Sequence, residues 1–137
     1  MRYLLLPLLF AATLPASNFY VTIAGLGGEP EYEQRFKAQA DEIEKLLRAG
    51  GPDVNIRTLS GKDATKAQVQ SALGQIAKDA KPADVLVVML IGHGSFDGID
   101  YKINLPGPDL SAVELAALLD RVPAGRQLVV NMTSASG

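Results

Sequence analysis

The 137-residue sequence contains no cysteine, no tryptophan and a single histidine, His93. Without cysteine there is no disulfide framework, thiolate metal site or iron–sulfur cluster, and a zinc site would need several carboxylates around one imidazole. No metal and no cofactor are therefore expected. An excess of positive charge is missing too: 13 Lys+Arg stand against 15 Asp+Glu, a net charge of −2. An electrostatic nucleic-acid binder normally shows a basic face, so no nucleic-acid partner is expected. Low-complexity tracts and internal repeats are also absent. What is present is 47% hydrophobic and 20% charged, which excludes a disordered chain and at this length fits one packed domain.

The first residues read as an address. Met1-Arg2-Tyr3 precedes an apolar run from Leu4 to Leu14, and small residues follow at Ala16 and Ser17. One positive charge, about a dozen apolar residues and a small-residue site have the layout of a secretory signal peptide. The run is too short and too interrupted by proline for a stable membrane span, which needs about 20 apolar residues. The expectation is a signal peptide over residues 1–16, cleavage after Ala16, and a secreted or periplasmic domain over residues 17–137.

Asn18 to Ala24 is a β-branched and aromatic run that ends at Gly25-Leu26-Gly27-Gly28, so it predicts a strand and a turn. Pro30 suits a helix start, and Tyr32, Phe36, Ile43 and Leu47 recur at core-facing helical spacing through Arg48. Gly50-Gly51-Pro52 stops that helix. Val54–Leu59 alternates as a half-buried edge strand does. Thr65-Lys66-Ala67-Gln68 is a capping box opening a second helix through Ala80. Asp84–Ile91 is apolar on both faces, as in a central parallel strand. Tyr101–Leu105 predicts a small hairpin. Ser111–Glu114 is another capping box for a helix through Val122, and Gln127–Met132 predicts a further buried strand.

Strands alternating with helices predict an α/β fold, a three-layer α/β/α sandwich with a mainly parallel sheet. In such sheets, sites form beyond the carboxyl ends of the strands. Three Gly- or Ser-rich segments fall there: 25–28, 92–98 and 133–137. Gly92-His93-Gly94 places the lone imidazole at the top of the most apolar strand, and histidine is the usual proton-transfer residue near neutral pH. Thr133-Ser134-Ala135-Ser136-Gly137 places hydroxyls at the end of what should be a neighbouring strand. A nucleophile and a base then share one rim.

These blocks, Val87–Gly94 and Leu128–Gly137, resemble those of the caspase-like cysteine peptidases: caspases, metacaspases, legumains and gingipains. Such enzymes carry one apolar strand ending in His-Gly and a later one ending in the catalytic Cys. The resemblance covers roughly residues 18–137. It implies His93 as general base, Ser134 in the position of the Cys, and the backbone N–H groups of Gly94 and Ser134 as the oxyanion hole. It also implies peptide or protein ligands, and a chain incomplete at its C-terminal end, since family members continue into further strands. An edge left unpaired after the last strand invites self-association.

The serine changes the chemistry. A Cys thiol has a pKa of about 8.5 and is partly ionised near neutrality. A hydroxyl is far less acidic and needs a base in contact, usually oriented by a third group. Asp97 and Asp100 are the acids available for that role. The favoured reading is a peptidase homologue with weak or no proteolytic activity that binds peptides. Its rival is an active serine hydrolase using a Ser134–His93 dyad. A nucleotide-binding module through Gly25–Gly28 with Asp53 is weaker, because a third glycine at the usual spacing is missing and Glu29, Glu31 and Glu33 repel a pyrophosphate.

Overall fold

The computed structural model describes residues 14–136, so the leader expected over residues 1–16 falls almost wholly outside them. Strand and helix patterns are realised in the order β1 (Asn18–Ala24), α1 (Pro30–Arg48), β2 (Val54–Leu59), α2 (Lys66–Asp79), β3 (Val85–Phe96), β4 (Tyr101–Ile103), β5 (Leu110–Ser111), α3 (Ala112–Leu119) and β6 (Arg126–Ser136). The glutamates near the start of α1 and the bases near its end complement the helix dipole. Thr65 accepts from the Gln68 amide at the start of α2, and Ser111 and Glu114 form a reciprocal capping box at the start of α3.

The sheet is mixed, which corrects the expected mainly parallel one. β2, β1, β3 and β6 are neighbours in parallel pairs, whereas β4 and β5 run antiparallel. The cause is a tight reversal after β3. There Asp97 accepts from the amides of Ile99 at 3.0 Å and Asp100 at 2.8 Å, an aspartate turn that sends the chain straight back. β6 follows one edge of β3 along its length, and β4 takes the other edge beyond the point where β1 ends.

Side chains alternate across the sheet. Val21, Ile23, Leu86, Val88 and Leu90 pack with Leu73 of α2 and Leu115 of α3. Ala24 and Ile91 face the other way, onto Phe36 and Ala40 of α1. Helices therefore cover both faces, in three layers. The last strand departs from expectation: β6 reads as buried but leaves Leu128 55% and Met132 47% exposed. α1 lies over β1 and β2 rather than β6, and among the described residues no strand pairs with the outer edge of β6.

Asp84, a buried carboxylate, ties the start of β1 to the start of β3. It accepts from the Ser17 and Lys81 amides, each at 2.8 Å, and those two donors hold its carboxyl below the usual aspartate range. A depressed carboxylate stabilises the fold above its unfolded pKa, about 3.9, and that contribution fades as pH falls toward the lower folded value. Asp84→Asn should therefore lower Tm near pH 7, with the gap to wild type closing below about pH 4. Thermal unfolding at a series of pH values checks this, and a gap independent of pH would contradict it.

Candidate active site

β3 does not stop at Ile91. Gly92 has φ +143°, a backbone conformation suited to glycine, and a Cβ there would lie 3.3 Å from the Gly25 amide nitrogen. This bare stretch lets the loop after β1 close onto β3, with the Gly25 amide donating to the Ile91 carbonyl at 2.8 Å. His93 comes next, half-buried, and its carbonyl accepts from the Asn104 amide at 3.0 Å. Two residues beyond Ile91, its ring lies on the α1 side of the sheet.

The β3–β6 register places Ser134 directly beside His93, 41 residues away in the chain. In-register neighbours of a parallel pair share a face, and Ser134 Oγ lies 3.2 Å from His93 Nδ1. The two expected site residues therefore meet, although not on loop tips. Both lie within strands, because β3 and β6 pair as far as Ser95 and Ser136. The glycines and small hydroxyl residues read as turn formers, but a continuous ladder satisfies their backbone groups and overrides that preference.

On the opposite face, Thr133 bonds the Tyr101 hydroxyl and donates to Asn131 Oδ1 at 2.6 Å. The Tyr101 ring covers Gly94, where a Cβ would lie 2.7 Å from two ring carbons. Gly94, expected as an oxyanion donor, stands in the ladder opposite Ile103 and Ala135 and is already partnered. It is not a loose strand end.

Neither acid expected to orient His93 bonds it among the described residues. Asp97 spends its oxygens on Ile99, Asp100 and Lys102, and the Asp100 and Ile99 amides hold its carboxyl below the ordinary range. The imidazole instead meets two rings of α1: Tyr32 at 4.9 Å and Phe36 at 5.1 Å between centroids, both edge-on. Tyr32 was expected in the core, yet it is 38% exposed. Sequence offered one clue, namely two aromatics four residues apart in the turns nearest the strand ends.

A groove of about 430 Å³ opens beside His93, between the loop after β1 (Leu26, Gly27) and the loop after β4 (Asn104, Leu105, Asp109). Asp109 shapes the second wall by accepting from the Leu105 amide at 3.0 Å and from Asn104 Nδ2 at 3.1 Å. No sequence pattern marked Asn104 or Asp109. In the first wall the Gly27 amide donates to Glu33 at 2.7 Å, so a carboxylate already holds an amide that a phosphate would need there. Among the described residues no group of three or more His, Asp or Glu could hold a metal ion, and no helix is long and apolar enough to cross a membrane.

No protein-family model and no curated protein matches the sequence. Among solved structures, the chain is similar to protein GSU0716 from Geobacter sulfurreducens, with 23% identity and a TM-score of 0.64. The likeness covers 90% of this chain and 52% of the other, so the chain spans about half the length of that structure. At this identity the likeness speaks for the α/β fold.

Proposed function

We propose that the chain is a secreted or periplasmic domain of the caspase- and legumain-like peptidase type, with Ser134 where those enzymes carry cysteine. It binds peptides or proteins in the groove beside His93 and hydrolyses them weakly or not at all. The observation that supports this reading is the 3.2 Å approach of Ser134 Oγ to His93 Nδ1 at the carboxyl ends of adjacent parallel strands.

With the ring proton on Nε2, the Ser134 hydroxyl donates to Nδ1. Attack on a peptide carbonyl passes the hydroxyl proton to Nδ1, and the same nitrogen then protonates the leaving amine. The step is slow for two reasons. A hydroxyl is hard to deprotonate, and among the described residues no carboxylate bonds the ring to stabilise the imidazolium that forms. The exposed apolar strand β6 adds further copies of this chain to the partners the reading implies.

One observation favours the rival reading of an active serine hydrolase: the hydroxyl and the imidazole are in contact, which a thiolate pair does not require and a serine does. A fluorophosphonate probe and a fluorogenic peptide library separate the two. Slow labelling that disappears in Ser134→Ala and His93→Ala, with little peptide turnover, is expected. Robust Ser134-dependent cleavage would overturn the weak-activity reading in favour of the hydrolase. Absence of labelling would remove Ser134 as a nucleophile.

A further inference from the structure

We infer that Tyr32 and Phe36, packed edge-on against His93 from α1, fix the orientation of its imidazole in the role a carboxylate plays in a serine triad. This rests on the Ser134–His93 reading, since an oriented ring matters only where Nδ1 must receive a proton. Rotation about the Cβ–ring bond of histidine is broad and roughly two-fold. An unheld ring would exchange Nδ1 with Cδ2 and present carbon to Ser134 for part of the time.

Three rings share the site. Tyr32 and Phe36 are 5.9 Å apart and tilted at 38°, and each meets His93 at 72°, the edge-to-face geometry that aromatic pairs favour. Phe36 is 8% exposed and belongs to the small core with Ala24, Ala40 and Ile91, so it is an anchored wall. Tyr32, one turn earlier, closes the solvent side. The start of α1 is itself secured by the Glu33 carboxylate, which accepts from the Gly27 amide of the loop after β1. Strand end, loop and helix therefore carry the three rings as one unit. An aromatic pair orients the base but supplies no negative charge, so Tyr32 and Phe36 are positioning residues rather than catalytic ones.

His93 is the only histidine, so its Hδ2 and Hε1 NMR signals need no assignment. Tyr32→Phe keeps the ring, Tyr32→Leu removes it from an exposed position, and Phe36→Leu removes the anchored wall. Tyr32→Leu should move both signals toward those of free histidine and slow fluorophosphonate labelling about tenfold with little change in Tm. Phe36→Leu should move the signals the same way, and Tyr32→Phe should restore the wild-type values of both readouts. Unchanged signals in the two Leu variants would overturn the inference, and so would moved signals with an unchanged labelling rate. If the wild type takes no label, the Ser134 reading fails and the inference with it, whereas a labelled wild type whose rate is unchanged in the Leu variants overturns the aromatic clamp alone.

Discussion

Replacing Ser134 by cysteine should raise peptide turnover on the order of a hundredfold at pH 7, because general-base help to an unactivated nucleophile is worth about 10²–10⁴. The scaffold need not change for this gain. Position 134 is held beside His93 by the strand register, and the imidazole nitrogen already sits within reach of the side chain. What the site lacks is acidity in the nucleophile. A thiol with a pKa of about 8.5 is partly ionised at that pH, and a neighbouring imidazolium lowers the value further. Fluorogenic peptides assayed with wild type, Ser134→Cys and Ser134→Ala give the comparison, and His93→Ala in the cysteine background should remove most of the gain. A cysteine variant no faster than wild type would mean that the groove does not present a carbonyl to position 134.

Gly94→Ala should cost about 1–3 kcal/mol of stability from overpacking. The new methyl would run into the hydroxyl end of Tyr101, with two ring carbons at 2.7 Å, and push the phenol off Thr133, its hydrogen-bond partner. Thr133 immediately precedes Ser134, so labelling of Ser134 should slow as well. The cost belongs to the contact with Tyr101 and not to the loss of glycine flexibility, since β3 is extended there. In a Tyr101→Ala background the same Gly94→Ala change should cost far less, a coupling of about 1 kcal/mol or more between neighbours. Urea unfolding of the four proteins measures it. Equal costs in both backgrounds would point to the backbone as the source.

Where hydrophobic period and turn chemistry agreed, the fold could be read from sequence. Asn18–Ala24, Pro30–Arg48 and Val54–Leu59 all form within their expected bounds, because glycine or proline punctuation coincides with the end of each pattern. β3 and β6 run longer than their apolar cores because cross-strand pairing carries His93 and Ser134 along with it, and pairing is not visible in local composition. The exposure of Leu128 and Met132 follows from where α1 lies, which no window of β6 reveals. The meeting of His93 and Ser134 was legible, since both follow apolar strands at the same end of the sheet. Tyr32 was legible only as one of two aromatics four residues apart. A helical aromatic at core spacing looks the same whether its ring enters the interior or leans against an imidazole at the rim.

The ladder between the two longest strands has a consequence for how such a chain can vary. His93 finds its hydroxyl partner only through in-phase alignment of segments that meet across a helix and two short antiparallel strands. Sliding β6 by a single position would set Thr133 or Ala135 opposite the imidazole and turn the apolar side chains of β6 to the other face. Insertions and deletions between Gly98 and Gly125 should therefore be harmless when the intervening loops absorb them, and silencing when they shift the phase of β6. A scan of one-residue insertions through that stretch would map where the chain keeps count.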